Sequence, residues 1–262
     1  MRKKNAFRKL AAILSVFGLT LFFTTCDNPA GSGRGAFCPE EHFEVRVIAD
    51  GTAIEIIGHI QVGGRTDVRI PPRIQGLPVT HIGDSVFNTA IAIIPSQPIT
   101  RRYALTSVTI PNTVTHIGMA AFQDNQLANL TIPNSVISIG SVAFARNELT
   151  SVTIPGSVSY IEAGAFVQNH LNTVTIQAGV RHIGYVAFAF NRLTNVTIPN
   201  GVINIRYSAF RDNQLTTVTI PNSVIYIGEY AFRKNQISNV SVPSNATIIE
   251  GAFDPGVTIT KN

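Results

Sequence analysis

The sequence predicts a mostly β chain with short turns and 3-10 segments, wound as a right-handed parallel solenoid of about eight coils. Three observations predict it. Leu105, Leu127, Leu149, Leu171, Leu193, Leu215 and Ile237 fall in register at a period of 22 residues. An Ala-Phe-type closure recurs at Phe87, Phe122, Phe144, Phe166, Phe188, Phe210, Phe232 and Phe253. Asparagine recurs in phase at Asn125, Asn147, Asn169, Asn191, Asn213 and Asn235. A fixed period of this size means one supersecondary unit stacked on itself, rather than a globular catalytic domain.

Each element of the unit has a physical reason, shown here for the unit that begins at Leu127. Alternation points Leu130 and Ile132 inward and Asn129 and Thr131 outward, which is a strand signal. Pro133 lacks an N–H and ends the strand. Asn134 and Ser135 supply turn chemistry. Val136 and Ile139 add two inward side chains, Gly140 allows a tight bend, and Ala143 with Phe144 closes the coil. One such unit cannot bury its apolar faces alone, so stability requires stacked neighbours. The repeated asparagine is expected to be structural, because an amide both donates and accepts and can satisfy turn backbone from coil to coil.

The repeat, Leu-x-x-Val-Thr-Ile-Pro-x-x-Val-x-x-Ile-Gly-x-x-Ala-Phe, resembles the BspA-like, treponemal-type leucine-rich-repeat surface proteins. The resemblance covers about Val68 to Phe253 and includes Val68, Ile70, Pro71, Ile74, Gly76, Pro78, Val79, Ile82 and Gly83 as a first repeat. It implies a leucine-rich-repeat solenoid, a bacterial surface or envelope setting, and adhesion to host or neighbouring-cell molecules. It brings no catalytic residue and no cofactor. Many members carry Cys where this chain has Asn, and one unit has Gln177 and Ala178 in place of the usual Pro.

The ends fix the expected organisation. Residues 1–25 read as a signal peptide, with Arg2, Lys3, Lys4, Arg8 and Lys9 ahead of an apolar run from Leu10 to Phe23. The run is short for a membrane span. The placing of Cys26 resembles a bacterial lipoprotein processing site, which implies an N-terminal lipidated Cys26, and residues 26–38 read as a flexible tether. The alternative is cleavage nearby with Cys26 kept as a thiol, open to a disulfide with Cys38 in an oxidising envelope compartment. Residues 39–67 should form a β-hairpin that caps the open end of the stack, turning at Asp50 and Gly51. The solenoid proper is 68–253, and 254–262 adds an end strand.

The formal charge of +5 resides wholly in residues 1–25, since the rest carries 15 basic against 15 acidic side chains. Nucleic acid is therefore a poor partner. No metal-ligand spacing, phosphate loop or nucleophile-base set stands outside the repeat phases, so no enzyme and no metal site is expected.

Candidate binding residues lie where the repetition fails. The outward strand positions, such as Ser107, Asn129 and Thr131, are uniform and polar, and threonine is explained there by strand propensity alone. A uniform hydroxyl ladder also suits a repetitive partner such as a glycan. One diverse series is His116, Ser138, Tyr160, His182, Asn204 and Tyr226, and a second supplies Tyr185, Tyr207 and Tyr230. Stacked in space, these make a strip of aromatics and histidines, read either as interface anchors or as rings that cover coil edges. His116 and His182, three coils apart, are too distant to share a metal. An insertion at 88–104 carries Arg101, Arg102 and Tyr103, and is either functional or a packed surface loop. The leading expectation is a secreted, lipid-anchored module that binds a protein or a glycan. The competing one is an envelope scaffold acting by self-association.

Overall fold

The structure is a computed structural model and describes residues 40–59, 65–89 and 104–262. The leader, Cys26, Cys38, the tether, and Arg101, Arg102 and Tyr103 of the insertion lie outside the described residues. The strands in chain order are β1 (Phe43–Ile48), β2 (Ala53–His59), β3 (Asp67–Arg69), β4 (Arg73–Ile74), β5 (Leu77–Ile82), β6 (Ser107–Thr109), β7 (His116–Ile117), β8 (Ser138–Ile139), β9 (Ser151–Ile154) and β10 (Tyr160–Ile161). They continue as β11 (Thr173–Ile176), β12 (His182–Ile183), β13 (Asn195–Thr197), β14 (Asn204–Ile205), β15 (Thr217–Thr219), β16 (Tyr226–Ile227), β17 (Asn239–Val242), β18 (Thr247–Ile248) and β19 (Thr258–Lys261). No α-helix occurs among the described residues. The fold is a parallel β-solenoid.

The continuous sheet is not on the side where the sequence shows alternation. It runs β1-β2-β5-β7-β8-β10-β12-β14-β16-β18, with β4 paired to β5. Most of its members are only two residues long, and two residues are too few to display a period. Each is parallel to the next, so that His182 pairs with Asn204 and Ile183 with Ile205. The isoleucine faces the core and the residue before it faces out. The glycine bend follows because Gly140 has no room for a side chain: a Cβ there would meet the Met119 nitrogen at 2.6 Å.

On the threonine side the strands pair only two by two, as β3-β6, β9-β11, β13-β15 and β17-β19. The unit at Leu127 has no strand there, although Asn129 and Thr131 are exposed and Ile132 is buried as alternation requires. Its central inward residue is Leu130, where the neighbouring units place Val108, Val152, Val174, Val196, Val218 and Val240. Losing the β-branched residue weakens strand propensity at that one position. Where Gln177 replaces proline, the pairing gains a bond instead. Its N–H donates to the Ile154 carbonyl at 3.0 Å, and its side-chain oxygen accepts from Gly156 N–H at 3.1 Å.

The closure makes the third side. Eight phenyl rings, from Phe87 to Phe253, stack with centroids 4.9 to 5.5 Å apart. The Phe144 N–H donates to Ala165 and the Phe166 N–H to Ala187, both at 2.9 Å. Two residues before each Phe the backbone is left-handed, including Val142 (φ 50°) and Val186 (φ 48°), with Gly164 (φ 63°) between them. A β-branched residue rarely adopts that conformation. Gly164 makes space for the row, because a Cβ there would meet Val142 Cγ1 at 2.9 Å.

The asparagines interlock the coils as expected. Asn169 Nδ2 donates to the carbonyl of Phe144 in the preceding coil (2.9 Å) and of Phe166 in its own (3.2 Å). Its Oδ1 accepts the Leu149 N–H at 3.2 Å. The other five repeat the pattern, for example Asn125 with Phe87 and Leu105. At the last coil Asp254 takes over, accepting from the N–H groups of Lys234 and Asn235.

At the other end of the sheet β1 and β2 form an antiparallel hairpin, turned by left-handed Ala49, Asp50 and Gly51. The hairpin joins the stack in two ways. β2 runs parallel to β5, and the ring column is extended by His59, 5.0 Å from Phe87, and Phe43, 5.3 Å from His59.

Candidate functional site

The diverse series of the repeat occupies one outward row of the continuous sheet. His116, Ser138, Tyr160, His182, Asn204 and Tyr226 each open a two-residue strand, directly before the buried isoleucine. Cross-strand pairing aligns His116 with Ser138, Tyr160 with His182, His182 with Asn204, and Asn204 with Tyr226. These side chains are half-buried. Tyr160 and His182 approach to 5.4 Å at a tilt of 34°, and Asn204 Nδ2 donates to His182 Nδ1 at 2.9 Å. That bond leaves the proton of the neutral ring on Nε2, facing away from Asn204. Along the row, then, side chains rest on one another, as edge covering would require.

Sequence reasoning missed the first member. His81 in β5 pairs with His116, and the two rings stack at 4.2 Å and 5°. The signal was present, because His81 stands two residues before Gly83 as His116 stands two before Gly118. The Nδ1 atoms of His81 and His116 each sit 2.8 Å from the hydroxyl of the preceding threonine, Thr80 or Thr115. Rings stacked face to face have parallel in-plane lone pairs, so they do not converge on one metal ion. Among the described residues no cluster of three or more His, Cys, Asp or Glu could hold a metal. Burial pulls His81 below the ordinary histidine pKa, with His116 adding to the shift. Burial also lowers His182, aided by Arg206 and Arg181.

The second series divides. Tyr185 and Tyr207 share a phase, two residues past the strand, and are 50% and 39% exposed. Tyr230 does not share it. It stands one position later in its unit, in the left-handed row with φ 59°. Counting tyrosines by approximate spacing merged two phases. Tyr230 still meets Tyr207 edge-on, with centroids 5.6 Å apart. Arg233 and Arg211 lie over its ring at 5.0 and 5.6 Å. A hydrogen bond to Glu229 raises its pKa.

Apolar exposure concentrates around the same strands. Of the nine exposed large hydrophobic residues among the described residues, Met119, Ile137, Tyr185, Tyr207 and Ile225 lie within two residues of a short strand, and none lies on a threonine strand between 107 and 242. The threonine side offers instead a shallow groove of about 280 Å³ beside the unstranded Leu127 unit, lined by Leu130 and the hydroxyls of Thr131, Ser151, Thr153, Thr173 and Thr175.

Comparison with known proteins places this arrangement. A leucine-rich repeat protein from Bacteroides ovatus is similar at 20% identity and a TM-score of 0.55, over 84% of this chain and 66% of its own. The pneumococcal vaccine antigen PcpA is similar at 17% identity and a TM-score of 0.56, over 82% of this chain and 66% of its own. The chain thus spans just under two thirds of each, and at these identities the likeness shows the fold. No curated protein matches the sequence. The family described as BspA type Leucine rich repeat region matches in six copies, over residues 94–214 and 164–259. These matches span more than half of the sequence, and the chain belongs to the BspA-type leucine-rich repeat family.

Proposed function

We propose that the protein is an exported recognition module, anchored through a lipid on Cys26, that binds a protein partner with the outward face of its continuous short-strand sheet. The concentration of exposed apolar residues beside those strands carries the reading. Exposed Met, Ile and Tyr set among polar neighbours are what a protein interface is built from. The basic and apolar leader supports export. The β1-β2 hairpin acts as the cap of the first coil, since it hydrogen-bonds the sheet edge and buries Phe43, Ile54 and Ile56 against it.

The test is binding of the full chain to arrays of envelope and extracellular-matrix proteins. Tyr185→Lys combined with Ile225→Lys should abolish binding, and Thr173→Lys combined with Thr217→Lys should spare it; the reverse pattern sinks the reading. A second reading has its own observation. The hydroxyl-lined groove suits a glycan, and glycan-array binding lost on Thr153→Lys would favour it. Labelled palmitate incorporated by the parent and not by Cys26→Ser checks the anchor.

A further inference from the structure

The charge balance of the chain changes along the stack. Residues 40–180 hold seven basic and ten acidic side chains, and residues 181–262 hold seven basic and four acidic. Carboxylate pairing is uneven along the chain, and beyond residue 180 Asp212 takes both Arg211 and Lys234, at 3.0 and 3.3 Å. Arg46, Arg65 and Arg146 each bind a carboxylate, at 2.5, 2.9 and 2.9 Å. Beyond them Arg181 reaches only the Gly201 carbonyl, at 3.3 Å. Arg206 and Arg233 bind no carboxylate among the described residues. The Arg206 Nε is shut off from solvent without an acceptor, a condition native structures rarely leave unexplained.

Two of these cations lie against rings. Arg206 lies 5.8 Å from the centre of the Tyr226 ring, and Arg233 lies over Tyr230, which meets Tyr207. Arg181 and Arg206 both sit close enough to His182 to depress its pKa. The neutral His182 adds one more donor. Glu229, in the phase of Tyr185 and Tyr207, is engaged by the Tyr230 hydroxyl. Stacked, under-neutralised guanidinium groups are preformed receptors for carboxylates, because their planar forks are already oriented.

We infer that this stretch, marked by Arg181, His182, Arg206, Tyr207, Tyr226 and Arg233, docks a short carboxylate-rich segment of a protein partner. The inference rests on the sheet face being the recognition face. A long uniform polyanion fits less well, because the same face carries Glu55, Asp84 and Glu162 upstream, where it would be repelled. A short acidic segment needs only the later coils, and the exposed Tyr185 and Ile225 beside it offer contacts to apolar side chains.

The experiment is fluorescence anisotropy of a labelled peptide alternating Glu and Tyr, titrated with the full chain at low and at physiological salt. Binding should weaken as salt screens the charges. Arg181→Gln with Arg206→Gln should weaken it at least about tenfold, and Arg233→Gln alone by about threefold. Arg146→Gln, in the carboxylate-paired region, should change it by less than about twofold. Thermal melts of each variant separate loss of binding from loss of fold. No binding at low salt, or equal loss in Arg146→Gln, overturns the inference. So does preferential displacement of the peptide by heparin, which would assign the site to a polyanionic glycan, or by unlabelled chain, which would assign it to a second copy. If the peptide fails while Tyr185→Lys with Ile225→Lys still abolishes partner binding, only this inference falls. If that substitution also has no effect, the reading of the face falls with it.

Discussion

Replacing Asn169 by alanine should unfold the middle of the stack more readily than any surface change. Asn169 is 4% exposed and satisfies backbone groups in two successive coils. Alanine leaves the Leu149 N–H buried without a partner and removes one bond from each of the Phe144 and Phe166 carbonyls, which keep those from Asn147 and Asn191. The orphaned donor costs about 1–3 kcal/mol and each of the two lost carbonyl bonds about 0.5–1.5 kcal/mol, so the loss should be roughly 2–6 kcal/mol, set against a whole-domain stability of about 5–15 kcal/mol. Urea unfolding of the full chain measures the total, and hydrogen exchange at the Leu149 amide reports the site directly. Asn169→Asp adds a sign test. Its Oδ1 can still accept from Leu149, but its other oxygen would face two carbonyl oxygens, which raises the folded-state pKa of the new carboxyl group. A raised carboxyl pKa costs nothing below the unfolded value of about 3.9, then removes about 1.4 kcal/mol per pH unit until the folded-state pKa is reached. The aspartate variant should therefore approach the parent near pH 4 and be weakest at neutral pH. An alanine variant within about 1 kcal/mol of the parent, or an aspartate variant indifferent to pH, would refute the accounting of buried backbone groups.

Three further outcomes follow from the same geometry. Gly164→Val should destabilise by about 1–3 kcal/mol, because it adds a β-branched residue at positive φ and a Cβ 2.9 Å from Val142 Cγ1; an unchanged melting temperature would show that the row has slack. Phe43→Ala should cost about 3–5 kcal/mol if the hairpin is an integral end of the stack, since Phe43 is 6% exposed and extends the ring column; a loss under 1 kcal/mol by urea titration would mean that the hairpin only rests there. His42, His81 and His182 all have pKa values lowered chiefly by burial. Their contribution is complete above the unfolded value of about 6.5 and is lost as pH falls toward the folded-state values. Melting between pH 7 and pH 5 should show acid destabilisation that is shallower in His81→Gln with His182→Gln, and an identical slope would remove the histidines from the account.

The frame was legible because its residues repeat. Phe122 to Phe232 and Asn125 to Asn235 recur identically, and the geometry gives each copy the same partners. What could not be read was which side of the coil carries the unbroken ladder. Alternation announces a strand at Ser151–Ile154, yet the continuous sheet passes through pairs such as Tyr160–Ile161, whose length hides any period. The Leu127 unit, regular in sequence, lost its strand to one unbranched residue. The candidate face was legible in part. The His116 row emerged by aligning repeats, while His81 was overlooked on the far side of the insertion and Tyr230 was placed in the wrong row. The neutralisation of Arg146 and the lack of it at Arg206 depend on neighbours in adjacent coils, which no single unit displays.

The bonds of Asn125 have a consequence for the insertion. Its amide holds the Phe87 carbonyl and the Leu105 N–H at once, so one side chain ties together the two points where the insertion leaves and rejoins the frame. Thr89 Oγ1 adds a bond to the Asp124 carbonyl beside them. The coil is thereby closed by described residues alone. A foreign peptide grafted between those two anchor points should leave these bonds in place.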